Sequence, residues 1–398
     1  MQAAVMRPHP ISLLCFLAFA CSTQSSTKTA KDVSGAAPDA AAPGADLASD
    51  SVEADAPPAP DDVSDDPGTL DVPPPGPVPG VDAELTPFDA TPIYFAGEDN
   101  KRSVDSTAAF PEEGTYASIA LDLELSCPSG GCDPWDRRGS LGVVTAVGAD
   151  GAPDTVVEVA RFITPFGVGM SGTFDLTDLR PLLKGTVTLR AFIDTWVGPG
   201  SQYGDGWLLS AKFRLTGGIP ARVPLAVVPI FTERSVVYGD PDRPVGHFAP
   251  AFTAAVPVGT TAVALRSFIT GHGQGNAANC AEFCGKEHTF VVGGTPTSTL
   301  LWRDDCVSTA APKQQGSWQY PRAGWCPGAN VHPWTFDVAL GADQTALTVG
   351  YAIEPYENTC RPNTEKCTGC AFGNPCEYDG GMHTEPFFQL STLLIAYQ

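Results

Sequence analysis

From residue 86 onward the chain alternates apolar and polar positions almost without a break. In residues 117–125, Ile119, Leu121, Leu123 and Leu125 fall on one side and Asp122 and Glu124 on the other, the period of a half-buried strand. Residues 187–197 repeat the pattern, with Val187, Leu189, Ala191, Ile193 and Val197 on one face and Arg190, Phe192, Asp194 and Trp196 on the other. Asp194 and Trp196 therefore point the same way. Further strands are predicted at residues 156–163, 208–215, 223–231, 262–269, 289–292, 346–352 and 387–396, with Gly and Pro in nearly every gap. Residues 176–183 alone suggest a short helical turn. This pattern predicts an all-β chain built as antiparallel sandwiches. Gly217-Gly-Ile-Pro220 divides it into an N-terminal domain at 86–219 and a C-terminal domain at 220–398.

The chain ahead of residue 86 has a different character. Residues 22–84 hold 13 Asp and Glu against Lys28 and Lys31, with 11 prolines and no aromatic residue. Such a segment cannot bury enough apolar surface to offset its ordering entropy, so 22–85 is expected to be a disordered tether. The tether carries half of the net charge of −22, and the acidic balance excludes nucleic acid as a partner.

Residues 1–21 read as an export signal, with Arg7 and His9 before a short apolar run that ends Leu17-Ala-Phe-Ala20-Cys21. A small residue ahead of Cys resembles a bacterial lipoprotein signal, with Cys21 lipidated as the new N-terminus. The alternative is an ordinary cleaved signal peptide. Either reading makes the protein exported: an outer-membrane or cell-surface lipoprotein in the first case, secreted in the second.

Beyond Cys15 and Cys21, ten of the 12 cysteines remain, an even number suited to disulfides in an exported chain. Spacing suggests Cys127 with Cys132, Cys280 with Cys284, and Cys306 with Cys326. Cys360, Cys367, Cys370 and Cys376 lie in a Gly- and Asn-rich loop at 357–380 and are expected to form two further bridges, among three possible pairings, with a zinc or redox role for Cys367-x2-Cys370 as the alternative.

Three constellations carry candidate chemistry. Cys127-Pro-Ser-Gly-Gly-Cys132 runs straight into Asp133-Pro134-Trp135-Asp136-Arg137, so a tight loop after a predicted strand delivers an aromatic ring, a carboxylate and a guanidinium together. An Asp beside an Arg is commonly a loop salt bridge. A constrained loop at a strand end also gives a carboxylate the fixed geometry that catalysis needs. Cys280-Ala-Glu282-Phe-Cys284-Gly-Lys-Glu-His288 reads as a structural staple, as a disulfide fixing Glu282 as a second acid, or as a zinc site of unusual spacing. Upstream, His272 sits in a Gly-rich stretch that lets backbone approach a ligand closely. Arg322-Ala-Gly-Trp325-Cys326-Pro-Gly328 supplies a fixed cation that could orient a carboxylate or polarise a carbonyl. Two acids, an Arg and exposed Trp residues fit hydrolysis beside a sugar, of either a glycosidic bond or an amide.

Taken together, these segments resemble the peptide-N-glycosidase F family over most of residues 90–398. Arg161-Phe-Ile-Thr-Pro165 and the Thr195-Trp196 strand fall in the same order as the three constellations. The resemblance implies two side-by-side antiparallel jelly-roll sandwiches with the site between them. It needs neither metal nor cofactor. By position it implies Asp136 as principal acid, with Glu282 and Arg322 as its catalytic partners. Trp135, Arg137, Asp194, Trp196, His272 and Trp325 become substrate-site residues. The implied reaction cleaves the bond from the Asn side-chain amide to N-acetylglucosamine, on N-glycosylated proteins or peptides, by a monomer. The chain departs from the family pattern at Asp194, where Glu is usual, and at His272 and Phe283, where Trp is usual. A catalytically silent, lipid-anchored glycan-binding protein on the same fold is the alternative. Copper-dependent hydroxylation on paired jelly rolls would need clustered His, whereas His9, His247, His272, His288, His332 and His383 are scattered.

Overall fold

The computed structural model describes residues 76–149, 152–274, 280–358 and 384–398. The expectations for the export signal, Cys21, most of the tether and Cys360, Cys367, Cys370 and Cys376 lie outside the described residues. In chain order the first half forms β1 (Ala83–Ile93), β2 (Phe95–Ala96), β3 (Asp99–Asn100), β4 (Ser103–Phe110), β5 (Tyr116–Ser126), β6 (Arg138–Ala146), β7 (Thr155–Ile163), β8 (Met170–Asp175), β9 (Gly185–Ile193) and β10 (Trp207–Gly217). The second half forms β11 (Pro224–Val237), β12 (Phe252–Ala255), β13 (Ala262–His272), β14 (Lys286–Val292), β15 (Thr295–Leu301), β16 (Ala329–Asn330), β17 (Trp334–Val338), β18 (Ala346–Ile353) and β19 (Phe387–Tyr397). The helical turn expected near 176–183 is a 3-10 helix at Thr177–Leu182.

Two sandwiches result. In the first, the sheet β1-β10-β5-β8 faces β7-β6-β9-β4; in the second, β11-β19-β13-β17 faces β12-β18-β14-β15. Setting aside the β2–β3 hairpin and β16, each half places its first, eighth, third and sixth strands in one sheet and its second, seventh, fourth and fifth in the other. That is jelly-roll connectivity, executed twice. One element crosses over: β16 pairs antiparallel with β7, Ala329 opposite Ile163, so the second half adds an edge to the first sandwich.

Alternation accounts for the interiors. Ile119, Leu121, Leu123 and Leu125 are buried, and Asp122 bonds Arg214 on the outer face. Strands β7, β13 and β19 behave differently, since nearly every residue in each is buried. One face of each fills its own sandwich and the other packs against the neighbouring sandwich, as strands covered on both faces do. The first core accordingly includes Ala264, Leu393, Ile395 and Tyr397 of the second half.

The first sandwich begins earlier than the boundary expected at residue 86. Pro79 already bridges Thr115, and Ala83 and Leu85 of β1 pack on the core. Next to eleven prolines, two apolar residues at period two are too short a signal to mark a strand.

Candidate active site

The loop ahead of β6 is held from several directions. Cys127 and Cys132 are disulfide-bonded, and Gly131 turns the loop at φ +98°, a conformation that glycine adopts without a Cβ penalty. Directly after it, Asp133 is fully buried. Its Oδ1 accepts from the Trp135 amide at 3.0 Å, and its Oδ2 accepts from Arg137 Nε at 3.0 Å and from Thr195 Oγ1 at 2.7 Å. Thr164 secures the same loop from β7's end: its Oγ1 accepts from the Arg137 amide at 2.8 Å and donates to the Trp135 carbonyl at 3.2 Å. Asp136 lies between these fixed neighbours, so its backbone has little freedom.

Glu282 comes from the second sandwich. The Cys280–Cys284 disulfide closes its loop, its amide donates to the Gly273 carbonyl at 3.1 Å, and its carbonyl accepts from Ala323 at 2.9 Å. Arg322 stands beside it, paired backbone to backbone with Arg303 and only 1% exposed. Arg322 Nε donates to Glu282 Oε1 at 3.2 Å, and Nη2 stands 3.9 Å from Asp136 Oδ2. Nη1 donates to the Ser317 and Tyr320 carbonyls at 3.0 and 2.9 Å, and Nη2 to Ser317 Oγ at 2.9 Å. Phe283 and Trp325 flank the guanidinium at 5.0 and 4.8 Å.

Two carboxylates from different sandwiches thus meet across one buried cation. Burial raises Asp136 to about 6, against the opposing pull of Arg322. Burial and the neighbouring Asp136 charge raise Glu282 to about 7, with Arg322 opposing. Near neutrality the pair holds roughly one proton, the state in which one carboxyl accepts a proton and the other donates one.

Asp194, Thr195 and Trp196 continue from β9, and the Thr195–Asp133 bond brings them beside the Asp136 loop. Trp196 is 54% exposed, with the Arg102 guanidinium 4.3 Å from its ring and Phe95 against it at 5.2 Å. Asp194 pairs with Arg102 at 3.4 Å. Trp135 is partly exposed, meets Tyr203 at 5.0 Å edge to face, and carries the Arg137 guanidinium at 5.3 Å.

Trp325, expected to face a ligand, does not offer it a surface, and His272 leaves only part of its ring accessible. Trp325 is 3% exposed because its Nε1 finds the Gly271 carbonyl at 2.7 Å inside the fold. The half-buried His272 stacks on Trp325 at 5.4 Å, and its Nε2 meets Thr270 Oγ1 at 2.8 Å. Gly271 serves packing rather than ligand approach, since a Cβ there would meet Ala281, Ala323 and Phe388. The zinc reading of Cys280, Cys284 and His288 is also overturned. The two cysteines bond each other, and His288 is buried in the second core with its Nδ1 2.6 Å from Tyr351 Oη. Cys306 and Cys326 form the third disulfide expected from spacing. Asp133, Tyr203 and Arg102 were not singled out from sequence; the one available signal was a second carboxylate three residues before Asp136.

Residues 249–369 match the family model described as Peptide-N-glycosidase F, C terminal. The peptide-N(4)-(N-acetyl-beta-D-glucosaminyl)asparagine amidase F of Elizabethkingia miricola is 30% identical over 278 residues, spanning 66% of this chain and 75% of the relative. The chain belongs to the peptide-N-glycosidase F family. Among solved structures, PNGase F of Flavobacterium meningosepticum, described as a glycosylasparaginase, superposes with a TM-score of 0.65 at 24% identity over 80% of this chain and 96% of its own. PNGF-II gives 0.60 at 17% identity over 79% of this chain and 65% of its own. At those identities the two superpositions speak for the shared fold.

Proposed function

We propose that the protein hydrolyses the amide bond between an Asn side chain and the first N-acetylglucosamine of an N-linked glycan. The observation that carries this reading is the convergence of Asp136 and Glu282 on Arg322 beside the exposed Trp135 and Trp196. Asp136, the lower-titrating member of the pair, takes a proton from water as the water oxygen adds to the side-chain carbonyl carbon. Glu282, holding the shared proton, donates it to the leaving nitrogen as the carbon–nitrogen bond breaks. Asp remains in the peptide, and the released glycosylamine then loses ammonia to water.

Of the two parts its sequence suggests, Arg322 takes the first, orienting carboxylates. Four of its five N–H donors are committed to Glu282, Ser317 and Tyr320, and Nη2 stands 3.9 Å from Asp136 Oδ2, so it fixes the carboxylate pair instead of polarising the substrate carbonyl; it is a positioning residue. Arg137, bound through Nε to Asp133 and partly exposed, is the cation that faces the substrate. Trp135, Trp196 and Asp194 form the sugar side. In the cell the exported protein works as a monomer held by a lipid on Cys21, with residues 22–85 as its reach; the Ala20-Cys21 junction and the composition of that segment support this.

The test uses the whole chain, a denatured N-glycoprotein and heavy-oxygen water. Mass spectrometry is expected to find glycosylated Asn converted to labelled Asp, and the conversion to vanish in Asp136→Asn. Intact glycopeptide retained on the protein would replace this reading with glycan capture.

A further inference from the structure

The Arg161-Phe-Ile-Thr-Pro165 segment stands out in sequence, yet none of its side chains lies in the catalytic pair. Arg161 is fully buried and faces the second sandwich from β7. Its Nε and Nη2 bond both oxygens of Glu158 at 2.7 and 2.6 Å. Nη1 reaches across to the Gln389 carbonyl of β19 at 2.7 Å and to Thr270 Oγ1 of β13 at 3.1 Å, and Nη2 meets Ser391 Oγ at 3.2 Å. Thr270 is in turn bonded to His272, which stacks on Trp325, which lies under Arg322. Three residues along the same strand end, Thr164 holds the Trp135-Asp136-Arg137 loop. Backbone bonds add to this, from Gly328 to the Ile163 carbonyl and from Val331 to the Arg161 carbonyl, each at 2.8 to 2.9 Å. One short segment therefore touches the supports of both halves of the pair.

We infer that Arg161, locked to Glu158, is a positioning residue that sets the distance between Asp136 on the first sandwich and the Glu282–Arg322 pair on the second. A buried ion pair is weak as a source of stability but well suited to fixing one register between two surfaces. Two jelly rolls meeting through apolar strands could slide; the guanidinium with three partners on the other sandwich admits one alignment. The inference rests on the proposed amidase reading for its consequence in catalysis, but not for its geometry.

The deciding experiment compares the parent with Arg161→Lys and with Glu158→Met/Arg161→Met, which removes both charges together and leaves none uncompensated. Two readouts are taken on each full-length protein. The first is the titration of the Glu282 carboxyl, followed by carbon NMR, which needs no activity. Glu282 faces Asp136 and Arg322, and Arg322 moves with it, so loosening the register removes the Asp136 charge and the burial together. Both changes move its titration down from about 7. The second readout is kcat and KM for glycan release, where kcat is expected to fall by on the order of 10- to 100-fold with KM nearly unchanged. A variant that folds, titrates like the parent and keeps the parent kcat overturns the inference. A parent without glycan release, together with a shifted Glu282 in the variants, would refute the amidase reading and leave the positioning role standing.

Discussion

Asp133 and Thr195 stand 62 residues apart in sequence and 2.7 Å apart in the fold, hydroxyl to carboxylate, with both side chains fully buried. That bond ties the loop carrying Trp135, Asp136 and Arg137 to the segment carrying Asp194 and Trp196. The proposed hydrolytic and sugar-binding sides therefore share one anchor, and Asp133 has no route to solvent by which a lost partner could be replaced with bulk water.

Asp133→Ala should accordingly damage stability and activity together. It strips one acceptor from three donors, the partly exposed Arg137 among them, a loss of about 3 kcal/mol for hydrogen bonds to a buried carboxylate. Thr195→Val removes one neutral donor and should cost about 1–2 kcal/mol, with catalysis reduced but present. Denaturant unfolding gives both values; equal costs for the two variants would contradict Asp133 as the centre of this knot.

The asymmetry between Asp136 and Asp133 explains how far the site was legible in sequence. Asp136, Glu282 and Arg322 sit within short Cys- and Gly-bearing motifs, so their local constraint is written beside them. Asp133 draws its meaning from Thr195, which no local pattern announces. Trp325 misleads for the opposite reason: in an Arg-Ala-Gly-Trp-Cys-Pro-Gly stretch it looks like a loop residue, and only the Gly271 carbonyl on β13 turns it inward. The same holds for strands. β5, β9 and β10 declare themselves by alternation and β19 by its apolar run Leu393-Leu-Ile-Ala396, whereas β4, β8, β12, β15 and β17 are sheet edges whose weaker burial leaves the pattern faint. β6 is central but carries Gly139 and Gly142; a Cβ at Gly139 would enter the Phe162 ring.

The raised carboxyls set a pH dependence. Asp136 must be ionised to take a proton from water, so kcat/KM should climb as pH rises through about 6. Glu282 must keep its proton to donate it, which places the opposite limb near 7. Because the groups interact, the two limbs belong to the pair. A pH–rate profile on a glycopeptide tests this: Glu282→Gln should erase the upper limb along with most of the activity, and a single limb near 4 would remove Asp136 as the base.

Stability should run against activity at the same two residues. A carboxyl whose folded pKa is raised stabilises the protein fully below its unfolded value, and that contribution is lost as pH rises through the folded value. Asp136 spans 3.8 to about 6 and Glu282 spans 4.5 to about 7. Above pH 7, Asp136→Asn and Glu282→Gln should therefore each unfold about 1–3 kcal/mol harder than the parent, an advantage that disappears below pH 4. Denaturant midpoints at pH 4 and pH 8 decide the matter, and an Asn or Gln variant weaker than its parent at pH 8 would show that the site tolerates the charges at no cost.

Trp196 offers a different kind of change. More than half exposed, it is backed by Arg102 and by the edge of Phe95, which hold the indole upright while leaving it open to a ligand. A ring that stacks on a sugar remote from the scissile bond contributes equally to ground state and transition state, so Trp196→Ala should raise KM by about tenfold with kcat nearly intact. Arg102→Ala should give a smaller rise, since it frees the ring to tilt and releases Asp194 without removing the stacking surface. Steady-state kinetics on a glycopeptide separate the alternatives. If Trp196→Ala instead lowers kcat at constant KM, the ring acts at the reacting centre, and the sugar platform must be sought at Trp135 and Tyr203.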